Sequence, residues 1–553
     1  MKKKNETKTA NKRPTTKLSK RSEQEEVSLL DDSTSIANPL APRLHPELVF
    51  GLVGPVGVSL DPVISVLSRE LKALKYSASA IRLSKLIENF LGSDHSKESE
   101  EKRITNLMDE GTRLREQSGR GDAVALLSIA EIRRTREEDL DKKFERHAYI
   151  LRSLKHPDEV EALRNVYGKG FYLISVYSPR EVRVNALAER ISKSKFGRGA
   201  SARSHSENIV ERDEQEESTS LGQDVKDAFP LADLFVDSRN RTTLEFQITR
   251  FIQLIFGNVF HTPSRDEQGM YHARAAALRS SDLNRQVGAA ILRAEGDLVA
   301  IGCNDVPKAG GDLYWPGDLG DARDFQKGID AMAEERVQVL GELLERFESE
   351  GMFSTTIKKD HLNQLVRDLV SGPKKSVLKG TRVMNLLEFG RSVHAEMAAL
   401  MSAARVGTAV RNSTLFCTTF PCHMCARHIV ASGIKRVVYI EPYPKSKAKH
   451  LHQDSISVDP SAPSADHVNF EPFEGVAPRQ YQDLFDARDS RKDSEGRALD
   501  WRAKRTTPRF SRFLNTYREI EIALVYKELP LMAQKLNINL SLPLDDASVK
   551  EVL

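Results

Sequence analysis

The chain has 553 residues, with 83 Lys and Arg against 79 Asp and Glu, and 4 cysteines. At roughly 150 residues per domain, this length predicts about three to four units, or two large ones with insertions, and a core that needs no covalent staples. Four cysteines exclude a disulfide scaffold and indicate a reducing compartment, and a net charge of +4 is too small to indicate a nucleic-acid binder.

The hydropathy pattern predicts neither membrane insertion nor secretion. No apolar run approaches the roughly 18–20 residues that a membrane helix needs. The basic N-terminus lacks the apolar stretch of a signal peptide. We therefore expect a cytoplasmic protein that does not bind a membrane.

Residues 1–45 are polar, with Lys and Arg concentrated between Met1 and Arg21. Such a segment cannot bury enough apolar area to offset its chain entropy, so we predict a disordered tail. Its charge is compatible with contact to RNA or another polyanion, but the composition favours a merely solvating tail.

An α/β domain is predicted from residue 46 to residue 258. Residues 48–53 have the pattern of a buried strand, Gly54 to Gly57 that of a tight turn, and residues 61–74 carry apolar side chains at helical spacing. This order is typical of the start of a nucleotide-binding α/β domain. Strands are also predicted at 171–176 and 234–236, helices at 179–193 and 244–256, and a mobile loop at the Ser-, Arg-, Glu- and Gly-rich stretch 194–225.

A second α/β domain is predicted from residue 265 to residue 553. It contains an insertion at 305–385, with helical patterns at 331–347 and 361–370, and a charged, proline-rich extension from about residue 445. Its other predicted elements are helices at 271–278, 394–404, 422–432 and 513–529, and strands at 287–292, 298–302, 414–418 and 436–440.

The most informative residues are His394, Glu396, Cys422 and Cys425. The two cysteines are three residues apart at the start of a predicted helix, so their sulfurs can face the same way and the helix N-terminus favours thiolate. His394 opens the preceding helix and can supply a third ligand. Three such ligands leave a tetrahedral zinc ion with one open position, which is typical of a catalytic site.

Glu396 lies two residues after His394, close to the metal position without being needed as a ligand. A carboxylate there can move a proton from a zinc-activated water to a ring nitrogen and then to a leaving amine. His-x-Glu followed by Pro-Cys-x-x-Cys is the known signature of zinc deaminases. A structural zinc site is the alternative, but a zinc ribbon needs a second cysteine pair, and Cys303 and Cys417 stand singly.

Four short motifs between Met270 and Pro444 carry a family resemblance. They are Arg285 to Ala289, Ile301 to Asn304, Val393 to Glu396 and Pro421 to Cys425. On these motifs the sequence resembles the cytidine and deoxycytidylate deaminase family. The resemblance implies that His394, Cys422 and Cys425 hold zinc, that Glu396 is the proton shuttle and that Asn304 contacts the substrate. The family's usual Gly-Tyr-Asn reads Gly302-Cys303-Asn304 here, so the stacking tyrosine is lost.

The whole chain resembles a narrower group of two-domain bacterial proteins. In this group a P-loop NTPase-like domain precedes a deoxycytidylate-type deaminase domain. The resemblance implies an α/β fold, with a kinase-like parallel sheet followed by a deaminase α/β/α domain that carries a helical insertion. It also implies deamination of dCTP and dCMP in anti-phage defence, homo-oligomers and, for some members, a small inhibitory RNA as partner. The resembling segments are 47–57, 152–167, 314–318, 391–397, 439–447 and 468–485.

The N-terminal domain departs from the P-loop pattern. A phosphate-binding loop reads G-x-x-x-x-G-K-S/T, and here Gly54, Gly57 and Ser59 remain without a lysine within reach. Without that lysine a main contact to the transferred phosphate is missing, so we expect no phosphoryl transfer. Nucleotide or phosphate binding by backbone N–H groups and a scaffold role both stay open.

Phosphates of the substrate require cationic partners. Arg285 precedes the first deaminase strand, and Lys445 and Lys447 follow the last one in a Lys- and His-rich run. These three residues are predicted phosphate contacts, and for each lysine a solvated loop is the alternative.

Together these residues predict zinc-dependent deamination of free cytosine deoxynucleotides, dCTP, dCMP or both, to the uracil product and ammonia. One alternative is a deaminase that acts on a base in DNA or RNA, which needs a charged strand-binding groove. Another is a nucleotide- or RNA-sensing regulator with a secondary deaminase activity.

Overall fold

A computed structural model describes residues 45–137, 146–194, 201–214, 221–353, 359–378, 381–385, 389–443, 446–460, 464–502, 507–510 and 514–540. They lie in one compact unit, Pro42–Leu553. This unit contains two six-stranded sheets. Residues 1–44 of the predicted tail lie outside the described part of the chain.

The first sheet is parallel over its first five strands. It is formed by β1 (Leu48–Val53), β2 (Ser77–Arg82), β3 (His147–Leu154), β4 (Phe171–Tyr177) and β5 (Leu234–Asp237), in the order β2-β3-β1-β4-β5. All six residues of β1 are buried. Alternate residues of β1 join two separate apolar clusters, one on each face of the sheet. Burial on both faces is typical of a parallel sheet with helices on each side.

Among the described residues, nine helices accompany this sheet. One of them lies where a mobile loop was predicted. Residues 202–214 are helical, although 194–225 was predicted to be a mobile loop, and that prediction is wrong for this stretch. The helix buries Ser206 and Asp213 beside Ile209 and Val210, so polar residues occupy part of its inward face and hide the apolar period. The helices are α1 (Asp61–Ala73), α2 (Leu83–Leu91), α3 (Glu100–Ser118), α4 (Ala123–Glu137), α5 (Pro157–Tyr167), α6 (Arg180–Ser194), α7 (Ala202–Glu214), α8 (Val225–Ala228) and α9 (Arg241–Ile255).

The second sheet is mixed. Its strands are β6 (Gly288–Leu292), β7 (Leu298–Cys303), β8 (Thr414–Thr419), β9 (Arg436–Glu441), β10 (Ile456–Val458) and β11 (Val468–Pro472), in the order β7-β6-β8-β9-β11-β10. β6 pairs antiparallel with β7 and β8, and the other pairs are parallel. The helices in this part are α10 (Arg265–Ala277), α11 (Asp324–Lys327), α12 (Ala331–Ser349), α13 (Lys359–Val370), α14 (Lys375–Leu378), α15 (Ala395–Val406), α16 (His423–Ser432) and α17 (Ala448–Leu451).

Two glycines let helices lie directly on the second sheet. A Cβ at Gly288 would lie 2.0 Å from the Ala273 carbonyl oxygen of α10, and one at Gly302 would lie 2.4 Å from the Ala395 carbonyl oxygen of α15. α10 and α15 contribute to different apolar clusters, which place them on opposite faces. The result is the predicted α/β/α layering, and the close approach of α15 to β7 fixes the start of that helix.

The C-terminal segment returns to the first sheet. β12 (Gly475–Val476) pairs antiparallel with β5, followed by α18 (Tyr481–Phe485), α19 (Leu514–Ala523), a π-helical turn at Leu524–Glu528 and α20 (Leu529–Lys535). On α19, buried Glu521 accepts hydrogen bonds from Arg136 of α4 at 2.6 Å and from Tyr167 at 2.9 Å. The chain beyond residue 475 therefore packs partly on the half of the fold that precedes residue 258. The division into domains 46–258 and 265–553 remains a prediction.

Candidate active site

Two helix starts bring three potential metal ligands together. His394 is the residue before α15, and Cys422 is the residue before α16, with Cys425 in the first turn of α16. The Nδ1 atom of His394 lies 3.3 Å from the Cys422 Sγ and 3.4 Å from the Cys425 Sγ. The main-chain bridge between Val393 and Asp305 anchors the segment that leads into His394.

This donor set fits zinc. Two thiolate sulfurs and one imidazole nitrogen are ligands that zinc prefers. With Zn–S bonds near 2.3 Å and Zn–N bonds near 2.0–2.1 Å, a tetrahedral site separates sulfur from nitrogen by about 3.6 Å. The observed separations of 3.3 and 3.4 Å are close to that value. Among the residues that the structure describes, this is the one group of three or more His, Cys, Asp or Glu ligand atoms close enough together to hold an ion.

The local electrostatics favour a thiolate at Cys422. The hydrogen bond with Cys425 lowers the pKa of Cys422 to about 4, with His394 adding to the effect. In turn, the hydrogen bond to Cys422 raises the pKa of His394 to about 9. Metal ligation requires deprotonated sulfur, so Cys422, the residue before α16, is prepared for a cation.

Glu396 is almost completely buried, at 4% exposed, in the first turn of α15. Burial, followed by the nearby Cys422, raises the pKa of this carboxyl group. A carboxyl group with a raised pKa is suited to both accept and release a proton near neutral pH. It lines the same cleft as His394 and Cys422.

That cleft has a volume of about 690 Å³. The residues around it carry charges of both signs: four are Lys or Arg and six are Asp or Glu. Lys226 from α8 and Arg336 from α12 are among the basic residues. Neither was predicted as a site residue, because they come from parts of the sequence far from the zinc motif and no local pattern marks them.

Asn304 lines the cleft but has its side chain engaged. Its Oδ1 accepts from the Val287 N–H at 2.7 Å, and its Nδ2 donates to the Arg285 carbonyl oxygen at 2.8 Å. The amide therefore holds the loop before β6 in place. Its predicted contact with the substrate stays a prediction.

The three predicted phosphate contacts differ from one another in where they lie relative to the cleft. Arg285 lines the cleft and lies with its guanidinium carbon 5.3 Å from the centre of the Tyr443 ring. Lys447 directly precedes the short helix α17 and is not among the residues that line this cleft. Lys445 lies outside the described residues.

The turn after β1 has a lysine partner that the sequence reasoning missed. Gly57, with φ of +93°, lies in the loop between β1 and α1 together with Gly54 and Ser59. Lys155, just after β3, donates from its Nζ to the Gly54 carbonyl oxygen at 3.0 Å. A lysine that is distant in sequence is therefore adjacent in space, because β1 and β3 are neighbours in the sheet.

Comparison with known protein families gives a match in the second half of the chain. Residues 263–441 match the family described as the cytidine and deoxycytidylate deaminase zinc-binding region. The match includes His394, Glu396, Cys422 and Cys425. Residues 263–441 are therefore similar to the zinc-binding region of this family.

Individual relatives cover smaller parts of the chain. The deoxycytidylate deaminase of Enterobacteria phage T2 is 46% identical over 55 residues, which are 10% of this chain and 29% of that protein. The chain thus spans less than a third of the length of this curated relative.

Two solved structures are similar in part. One is the dCMP deaminase of cyanophage S-TIM5 in complex with dCMP and dUMP, at 18% identity and a TM-score of 0.21, covering 38% of this chain and 98% of that one. The other is shikimate kinase from Acinetobacter baumannii, at 13% identity and a TM-score of 0.21, covering 39% and 98%. Both scores are low, so the α/β fold rests on the strand order and register given above. Among the residues of this chain that the structure describes, no helix is long and apolar enough to cross a membrane.

Proposed function

We propose that the protein deaminates free cytosine deoxynucleotides, dCTP, dCMP or both, and that the reaction requires zinc. The observation that carries this proposal is the meeting of His394, Cys422 and Cys425, the first two of which line one cleft together with buried Glu396. The overall reaction consumes one water, replaces the C4 amine of the base by a carbonyl oxygen and releases ammonia.

Different residues of the protein hold the metal and transfer the protons. When bound, zinc acts as a Lewis acid that lowers the pKa of water at the open position. Glu396 is the group that moves protons. Its carboxylate takes one proton from the water that is consumed and delivers it to N3 of the base, and then takes a second from the oxygen added at C4 and delivers it to the departing amine. Burial of Glu396 keeps bulk water from competing for that proton.

The charge of the cleft supports a small substrate over a nucleic-acid strand. Strand-binding grooves are positively charged along their length and present aromatic platforms. Here six acidic residues accompany four basic ones around the cleft. Arg285, Arg336 and Lys226 are the basic groups that we assign to the substrate phosphates, and Lys445 and Lys447 remain further candidates.

The first experiment is a panel of substrates incubated with zinc-loaded protein. Purified chain is mixed with dCTP, dCMP, CTP, CMP or single-stranded DNA, and products are identified by mass spectrometry. We expect uracil products from the deoxynucleotides. Uracil in the DNA strand but not in the free nucleotides would overturn the proposal.

Glu396→Gln supplies the mechanistic control. The amide keeps the shape of the side chain but cannot shuttle the proton, so we expect turnover to fall by about 10²–10⁴-fold with zinc retained. Glu334→Gln, a change at an acidic residue in the first turn of α12, is the matched variant and should keep activity. Full activity in Glu396→Gln would contradict the assigned role.

The biological role that we propose is depletion of the deoxycytidine nucleotide pool during phage infection. Cells that produce the chain, or its Glu396→Gln variant, are infected and their dCTP and dCMP are quantified. A fall in both pools and in phage yield, only with the active chain, is the expected result. An equal phage yield in the two strains would contradict this role.

A further inference from the structure

A second cleft lies beside the turn after β1, far from the zinc motif in sequence. It has a volume of about 260 Å³ and is lined by Gly54 to Val58 together with the ends of neighbouring strands and helices. Two of its lining residues are acidic, Glu159 and Asp213. Six are basic: Arg82, Arg103, Arg115, Arg152, Lys155 and Arg190. The excess of positive charge favours an anionic ligand.

The turn itself is filled by a carboxylate of this chain. The Oδ2 of Asp213, near the end of α7, accepts a hydrogen bond from the Val56 backbone N–H at 2.6 Å. Its Oδ1 accepts from the Lys155 Nζ at 2.8 Å, and the same ammonium group donates to the Gly54 carbonyl oxygen at 3.0 Å. Asp213 is only 1% exposed.

This arrangement has the chemistry of a phosphate site. Glycine-rich turns that follow a strand bind phosphate groups through backbone N–H groups and a lysine ammonium. Here the same two kinds of donor converge on the two anionic oxygens of Asp213. Asp213 presents its two oxygens where a phosphate would present its own. The lysine directly follows β3 and is not part of the loop after β1, which is why the sequence of that loop did not indicate it.

Arg115 gives an independent sign of an anionic ligand. It is 2% exposed and lines the same cleft. Its Nε donates to the Leu221 carbonyl oxygen at 2.8 Å and its Nη1 donates to Glu159 at 3.3 Å. Its Nη2 is buried without a hydrogen-bond partner among the described residues. Buried polar groups are nearly always paired, so an unpaired guanidinium nitrogen in a basic cleft points to a ligand oxygen.

We propose that this cleft binds the phosphate group of a small phosphorylated ligand, and that Asp213 closes the site by occupying the turn until the ligand displaces it. α7 is then the moving element, because it carries Asp213. Displacement replaces one buried anion by another, so the Val56 N–H and Lys155 stay paired in both states. The inference is independent of the proposed deamination, since none of these residues lines the zinc cleft.

The test measures the binding of pyrophosphate to the full-length, zinc-loaded chain by isothermal titration calorimetry. In Asp213→Asn the neutral amide keeps its volume but no longer competes as an anion. We expect the Kd for pyrophosphate to fall at least tenfold relative to the wild-type chain. Glu211→Gln, a change at an exposed acidic residue of the same helix, is the matched control and should bind as the wild type does.

A second substitution identifies the site. Adding Lys155→Met to Asp213→Asn should remove the gained affinity, because the ammonium group would then be missing. If Asp213→Asn binds pyrophosphate no more tightly than the wild type, or if the gain survives Lys155→Met, the proposal is wrong.

Hydrogen exchange on the wild-type chain decides the matter even if Asp213→Asn fails to fold. Saturating pyrophosphate should speed amide exchange in α7, because Asp213 leaves the turn when the ligand enters. Protection of α7 that is unchanged or increased in the bound state would overturn the displacement. Zinc content, measured on each variant, reports whether the second half of the chain remains folded.

Discussion

At the scale of single residues, position in the fold, and not burial, separates the cysteines that can bind metal from those that cannot. All four are buried and free. Cys422 and Cys425 meet His394 at a helix start, whereas Cys417 lies within β8, where burial raises the pKa of its thiol well above the usual range. Cys417 does not belong to the group of ligand atoms formed by His394, Cys422 and Cys425, so its place in the fold excludes it as a ligand.

This difference predicts opposite effects of two cysteine substitutions on zinc binding. Cys422→Ala should abolish stoichiometric zinc binding, because one of three protein ligands is lost. Cys417→Ala, five residues earlier and equally small a change, should retain one zinc per chain. Metal content after dialysis, measured by atomic emission, checks both. Equal zinc in the two variants would contradict the assigned ligands.

The buried carboxyl group of Glu474 is expected to make the stability of the fold depend on pH. Burial, with the nearby Asp237 carboxylate adding to it, raises the pKa of Glu474 to about 7, above its ordinary value of 4.5. The folded state therefore holds this proton more tightly than the unfolded state, so the stability that it contributes is present below pH 4.5 and is lost as the pH rises through 7. Glu474→Gln should raise the Tm relative to the wild type at pH 8 but not at pH 4. A Tm difference that is constant over this range would contradict the assignment.

At the scale of elements, the position of α15 determines the site. α15 carries Glu396 in its first turn and lies against β7 at Gly302, where a Cβ would lie 2.4 Å from backbone atoms of the helix. The helix backbone cannot move aside locally in the way that the end of a flexible side chain can. A side chain at position 302 must therefore move the helix that carries Glu396 and follows His394.

Gly302→Ala should lower both zinc affinity and turnover, and we expect a loss of stability in the range of about 1–3 kcal/mol that overpacking produces. The matched change is Gly341→Ala in α12, where a Cβ would meet nothing within 4 Å. That substitution should stabilise the helix by up to about 1 kcal/mol and leave zinc binding unchanged. Urea denaturation and metal titration measure both effects. Wild-type zinc affinity in Gly302→Ala would show that the helix contact does not position the ligands.

How far the sequence predicts these elements depends on whether the signal is local. The strands β1 and β4 and the helix α12 were predicted from their apolar periods, and the predicted α/β class is confirmed. The short strand β10 and the two-residue strand β12 carry too little pattern to be predicted. α7 was missed because its inward face includes Asp213, whose partner Lys155 lies 58 residues away.

The candidate site follows the same rule. The three zinc ligands and Glu396 lie in two short motifs, each at the start of a helix, so their spacing alone brings the ligands within each motif together. Lys226 and Arg336 come from α8 and α12, and only the packed fold brings them to the cleft.

At the scale of the whole molecule, the two sheets share a core. One apolar cluster contains Leu173 and Phe235 of the first sheet together with Phe416 and Val438 of the second. A second link is polar: the Arg136 guanidinium donates to Glu47 before β1 at 3.0 Å and to Glu521 of α19 at 2.6 Å. The Arg136 and Tyr517 contacts lower the pKa of Glu47 although burial opposes this. Segments from both ends of the chain are thereby tied to α4.

Glu521→Gln tests whether the C-terminal segment stabilises the whole fold. The substitution leaves Arg136 buried with reduced compensation, and removing one partner of a buried ion pair destabilises a protein by about 3–5 kcal/mol. Glu519→Gln changes an exposed residue of the same helix and should have an effect of less than about 0.5 kcal/mol. Urea denaturation, followed by tryptophan fluorescence and by zinc release, measures both variants. Because the two sheets share one core, we expect both signals to shift together in Glu521→Gln. Zinc release that stays at the wild-type urea concentration while fluorescence shifts would show instead that the second sheet unfolds independently of the C-terminal segment.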